Sequence, residues 1–232
     1  MKRVAVAVLA VTLMAVMPAA SSAGSTSGPV ARPAVAPAKV PGWVHQRFIP
    51  FGAKRKHQMA RYSLRHYGVR AWRLKHPRQI VEHVAVASTV GQVIHSFVPD
   101  RSDPEFHELP NVCSHFVVSS QGRVVQLVPL GIRCRHTVGL NHVAIGIEHT
   151  GYRDGDVLGN RRQLRASVRL TKWLRCRFGI AIGDVIGHNE SLSSRFHREL
   201  VPSMKNQTHG DFRHASMRRY RKALHDAGRC PR

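Results

Sequence analysis

QIVEHVAVASTVGQVIHSFV, residues 79–98, changes its period in the middle. Residues 79–87 (QIVEHVAVA) form a β-branched run and predict a strand. Thr89 then stands where a helix cap belongs, and Val90, Val93, Ile94, Phe97 and Val98 recur at helical spacing. A strand that runs directly into a capped amphipathic helix is the unit of a sheet covered by helices. Working outward, VCSHFVVSSQGRVVQLVP (residues 112–129) reads as a hairpin, with two apolar strands flanking Ser119, Ser120, Gln121 and Gly122. VAIGIEH (143–149) is a further strand. Asn160 can cap a helix that carries Leu164, Val168, Thr171, Leu174 and Phe178 and stops at Gly179. DVIGH (184–188) is a short strand, and 213–227 is a last helix with Met217, Tyr220 and Leu224 inward. Upstream, KRKHQMARYSLRHY (54–67) predicts a helix with Met59, Tyr62 and Tyr67 near one side and Gly68 as its stop. The expected class is α/β, a mixed central sheet flanked by helices, with no internal repeat.

The chain begins with the pattern of an exported protein. Lys2 and Arg3 precede an apolar run from Val4 to Met17, and Ser21 and Ala23 are small residues placed for cleavage before Gly24. The run is shorter than the roughly 20 apolar residues that a membrane span needs. Residues 1–23 are therefore expected to be a signal peptide, the mature protein to be secreted, and no stable membrane insertion to follow cleavage. Residues 24–41, rich in Ser, Gly, Pro and Ala, cannot bury much and read as a flexible linker. The folded domain is expected over 42–232.

The formal net charge of +23 favours an anionic partner: nucleic acid, an anionic membrane face or an anionic cell wall. Export argues against nucleic acid, as does the lack of an aromatic-rich basic stripe for base stacking. Four cysteines, Cys113, Cys134, Cys176 and Cys230, suggest two disulfides in an exported chain, and three pairings are open. The hairpin favours Cys113 with Cys134, leaving Cys176 with Cys230. No CxxC pair supports a thiolate metal site.

Among sixteen histidines, three stand at strand ends or on loops beside other chemical groups. His83 follows Ile80-Val81-Glu82, His188 ends Asp184-Val185-Ile186-Gly187, and His209 lies in Gln207-Thr208-His209-Gly210-Asp211. Glu148 ends Ala144-Ile145-Gly146-Ile147. The histidines are too far apart in sequence for a local metal motif, and a lone strand histidine is usually a hydrogen-bonded core residue. Five pieces in order, IVEHVA, CSHFVVSSQGRVVQLVP, RHTVG, AIGIEHTG and VIGHNES, resemble the type 2 N-acetylmuramoyl-L-alanine amidases, relatives of peptidoglycan recognition proteins and phage lysozyme-like amidases. The resemblance runs from about residue 79 to 212. The preface LRHYGVRAWRL and the ending QTHGDF are similar to an exported branch of the family.

That resemblance implies a peptidoglycan recognition protein-like fold and a zinc-dependent amidase that cuts the bond between N-acetylmuramic acid and L-alanine in peptidoglycan. The alternative is a recognition module that binds peptidoglycan without cutting it. The resemblance places zinc on His83, His188 and His209, with Asp211 open as the third ligand instead. It makes Glu148 the catalytic acid and general base, and puts His136 on the wall of the substrate cleft. His115, on a hairpin strand, is expected to face the cleft or the core. Asn189 and Glu190 are expected to shape the turn after His188 and hold its ring. The sequence departs from the family at Val84, where an aromatic residue often follows the first histidine. It departs again at Gln207, where many relatives carry a lysine two residues before the third ligand; Gln207 is the expected donor there. Three neutral histidines would leave the full charge on zinc and one position open for water. The strong positive charge is expected to draw the enzyme to anionic wall polymers.

Overall fold

The computed structural model describes residues 40–231. The expected signal peptide, and all of the linker but its last two residues, lie outside that range. Val40, within the expected linker, packs against the core.

Six strands form one sheet. They are β1 (Val44–Gln46), β2 (Gln79–Val84), β3 (Phe116–Val118), β4 (Val124–Gln126), β5 (Ala144–His149) and β6 (Val185–Gly187), in the order β1-β4-β3-β5-β2-β6. Every pairing is parallel except the β3–β4 hairpin, so the sheet is mixed as expected. The hairpin turns at Gly122, whose φ of +80° suits glycine; a Cβ there would also lie 3.0 Å from the Arg162 carbonyl oxygen. β1 is a strand the sequence does not announce, because three residues are too few to show a period. It extends the sheet along β4, and the ladder continues as Arg47 and Ile49 donate to the carbonyls of Gln126 and Leu127.

Five helices complete the described chain: α1 (Ala53–Tyr67), α2 (Val90–Phe97), α3 (Asp154–Gly159), α4 (Arg161–Phe178) and α5 (His214–Asp226). Thr89 caps α2 with a reciprocal capping box to Gln92, and Asn160 caps α4 by accepting from Arg162 and Gln163. Strand alternation divides the core. Phe116, Val118 and Val124 join the cluster under α4 and α5, with Met217, Tyr220 and Leu224 fully buried. Val117 and Val125 point the other way, into a cluster with Val93, Ile94 and Phe97 of α2. Val98 lies outside that face, 39% exposed. Met59, Tyr62 and Tyr67 of α1 form a smaller cluster, as their spacing predicts.

The disulfides are Cys113–Cys134 and Cys176–Cys230, with Cα atoms 5.4 Å and 5.2 Å apart. The first lies in the α2 cluster and the second ties the C-terminal tail to α4. Among the described residues, no helix is long and apolar enough to cross a membrane.

Candidate metal centre and cleft

The carboxyl ends of β2, β5 and β6 open onto a cleft of about 860 Å³ lined by His83, His136, Glu148, His188, His209 and Asp211, among others. His83 and Glu148 are register partners on neighbouring parallel strands, which puts both at the cleft floor. His188 begins the turn after β6 (a 3₁₀ turn, His188–Ser193). The residue before it must be glycine: a Cβ on Gly187 would lie 1.9 Å from the Phe212 carbonyl oxygen. This close approach carries the 211–212 segment against the histidines. Phe212 is held at φ +43°, and Asp154 accepts from the Phe212 and Arg213 N–H groups, each at 2.8 Å.

The result is a three-residue group able to hold a metal ion: His83, His188 and Asp211, with one ligand atom from each lying within 4.8 Å of the others. Asp211 sits 3.6 Å from the Nδ1 atoms of both histidines and accepts from the Val84 N–H at 3.0 Å. Burial alone would raise its carboxyl, but His83 and His188 hold it well below the usual range. His209, expected as the third ligand, is not in this group. Its ring stacks on His188, with centroids 4.6 Å apart, and its Nε2 is turned to Glu105 at 3.2 Å. The tight Gly210–Phe212 turn explains the difference, since it aims the side chain two residues later at the histidine pair.

Glu148 is half-buried in the cleft, and burial pushes its carboxyl up to about 7; nearby His83 lowers it and Asp211 raises it. His136 lies beside the metal group, its Nδ1 3.1 Å from His83 Nε2 and its backbone N–H bonded to Asn141. Burial, with His83 and His115 nearby, drives its imidazole well below the ordinary histidine range, so it is neutral. A Cβ on Gly146 would lie 2.7 Å from the His136 ring, so the glycine of AIGIEH makes room for it. His115 belongs to the core: its Nε2–H donates to the Ile132 carbonyl and its Nδ1 accepts from Gly146. Gln207 points toward Glu105 at 3.5 Å, and its carbonyl oxygen is buried without a partner. Glu190 shapes the turn as expected, accepting from Gly187 N–H and from Arg221. It does not hold the His188 ring, whose Nε2 is buried without a hydrogen-bond partner.

Below the site runs a polar network that strand and helix patterns do not reveal. His149 donates from Nδ1 to the His83 carbonyl at 2.8 Å, and its Nε2 accepts from Ser167. Burial lowers His149 to about 4, consistent with a neutral ring. Ser167 and Thr171 both meet the Tyr220 hydroxyl, and Thr171 donates to Glu82 at 2.8 Å. The network fixes the end of β2 from beneath. The visible signal was polar residues, Glu82 and Thr171, at inward positions of otherwise apolar elements.

No curated protein shows a significant match to the chain. Among solved structures, it is similar to a selenomethionine derivative of AmpD, at 16% identity over 78% of this chain and 96% of that one, with a TM-score of 0.47. It is also similar to the N-acetylmuramoyl-L-alanine amidase LysC from Clostridium intestinale URNW (20% identity, 49% and 71% covered, TM-score 0.38). A third likeness is to PGRP-SA of Apis mellifera (18% identity, 50% and 73% covered, TM-score 0.39). The family model for N-acetylmuramoyl-L-alanine amidase matches residues 73–206, more than half of the sequence, and the chain belongs to that family.

Proposed function

We propose that this chain is a secreted, zinc-dependent hydrolase of the amide bond between N-acetylmuramic acid and L-alanine in peptidoglycan. The observation that carries the reading is the convergence of His83, His188 and Asp211 on one point of a cleft whose floor also holds Glu148. Two imidazoles and a carboxylate are a donor set suited to zinc, and three protein ligands leave a position for substrate or water. The Nδ1 atoms of His83 and His188 both face the Asp211 carboxylate at 3.6 Å, an arrangement that suits one ion shared by the three. Zinc bound there would supply Lewis acidity toward the scissile carbonyl.

The remaining steps fall to the chain's own residues. Glu148 takes a proton from the attacking water and passes it to the leaving amine. Burial, which raises its carboxyl, favours its holding the proton between the two halves of that exchange. With Asp211 as third ligand, the ligand set carries one negative charge, unlike a set of three histidines. The residue two places before the third ligand is then His209, not Gln207. His209, stacked on His188 at the cleft, takes the place where relatives carry lysine. Gln207 is assigned no part in the reaction. His136 orients His83 from the other side. The alternative, a recognition module that binds without cutting, lacks an observation in its favour, because the metal group and Glu148 are all present.

Replacing Glu148 with Gln tests the reading. The variant should bind zinc as the wild type does and lose roughly 10²–10⁴-fold in turnover, the usual range for a proton carrier. Near-wild-type turnover would reduce Glu148 to a structural carboxylate.

A further inference from the structure

Beyond the ends of β2 and β5 the two segments meet again at the rim of the cleft, in an antiparallel bridge between Ala87 and Gly151. Ala85 donates to the His149 carbonyl at 2.9 Å, and Ala87 and Gly151 exchange hydrogen bonds of 3.2 Å and 2.8 Å. Between those fastenings Val86 is forced to φ +48° and stands 68% exposed. A left-handed backbone is an outlier for a β-branched residue and persists only where its surroundings over-determine it. Packing returns little for it here, because most of the side chain faces solvent. Across the bridge Tyr152 is 62% exposed, its N–H fixed to Asp156 Oδ2 at 2.9 Å. Both side chains line the same cleft as the metal group.

We propose that Val86 and Tyr152 form an apolar platform that seats a sugar ring of the glycan strand next to the scissile bond. This rests on the peptidoglycan reading of the cleft. The two residues lie three and four positions beyond His83 and Glu148 in the chain, past the ends of β2 and β5. Even a fully extended chain would span no more than about 10–14 Å over that separation, so both lie within reach of a unit next to the reacting groups. Both side chains are more than half exposed, so the platform is open and suits the flat C–H face of a pyranose. A peptide side chain would need a recess that buries its lining. An exposed aromatic beside an aliphatic residue at a cleft mouth is surface that a ligand covers. The backbone strain and the two fastenings hold Val86 outward before any ligand arrives.

Calorimetric titration with a peptide-free glycan tetrasaccharide from peptidoglycan tests the platform without requiring turnover. The wild type should bind it. Val86→Gly and Tyr152→Ala should each weaken binding about tenfold, the scale of a lost aromatic or aliphatic contact, and Tyr152→Phe should bind like the wild type. Val86→Gly should unfold at or above the wild-type temperature, because glycine accepts the backbone conformation. Failure of the wild type to bind, wild-type binding in both truncated variants, or a lower unfolding temperature for Val86→Gly would overturn the platform. Release of L-alanine-ended peptides from whole peptidoglycan separates the two readings. Tetrasaccharide binding without release supports the platform and refutes hydrolysis; release without tetrasaccharide binding does the reverse.

Discussion

Replacing Gly187 with Ala strikes the candidate metal group without changing any of its three members. The new Cβ would stand 1.9 Å from the Phe212 carbonyl oxygen and 2.6 Å from Phe212 Cβ. Contact at ordinary van der Waals distance requires a retreat of more than about 1 Å in a close-packed region. The segment that must retreat carries Asp211. Its bond to the Val84 N–H is 3.0 Å long, so that displacement takes it beyond hydrogen-bond reach. Overpacking costs about 1–3 kcal/mol, and the lost hydrogen bond about 1 kcal/mol more. For a domain of this size each kcal/mol lowers the unfolding midpoint by about 2–4 °C, so the metal-free variant should melt roughly 4–16 °C lower. Displacement of Asp211 should weaken zinc at least about 10–100-fold, the scale seen when ligand support is lost. Thermal unfolding in chelator, paired with zinc titration, reads both effects. Gly183→Ala is the control, since nothing lies within 4 Å of its Cβ position. Wild-type melting and zinc affinity in Gly187→Ala would refute the claim that this turn positions Asp211.

His66 gives a pH prediction. It is fully buried, with Nδ1 donating to Glu199 and Nε2 to Glu108, both near 2.9–3.0 Å. Burial opposes its charge, but the two carboxylates outweigh burial and raise its pKa above the ordinary value. Its contribution is therefore complete below about 6.5, the unfolded value, and is lost as pH rises through the folded value. Chemical denaturation from pH 6 to 9 should show falling stability, and His66→Gln should flatten that slope; an unchanged slope would refute the assignment. Breaking Cys176–Cys230 with Cys230→Ser should lower stability by about 2–4 kcal/mol, read by denaturant midpoint under non-reducing conditions. Binding to intact cell walls should weaken steeply with salt, since exposed charges are screened beyond about 8–10 Å. Turnover of small soluble muropeptides should change far less, and equal salt sensitivity would remove surface charge as the cause.

Long periodic elements were legible from sequence because periodicity reports burial. Residues 160–179 announced α4 with both caps, and the 79–98 stretch announced β2 and α2. The last expected strand residues, 85–87, leave the ladder because the chain kinks at Val86, a strain that composition does not reveal. β1 was too short to read. His83, His188 and Glu148 were legible through family motifs at strand ends. Which of His209 and Asp211 joins the candidate metal group was not: they are two residues apart on a loop, and their aim depends on the φ of Phe212 and on the missing Cβ of Gly187. The network from His149 to Tyr220 joins residues distant in sequence, so it appears only once α4 and α5 pack against the sheet.

Purified peptidoglycan digested by the mature protein, with and without a zinc chelator, tests the account most directly when the new ends are identified by mass. The account predicts free amino-terminal L-alanine and intact N-acetylmuramic acid ends, abolished by chelator and restored by zinc. Undiminished cleavage in chelator, or new ends at any other bond, would contradict it.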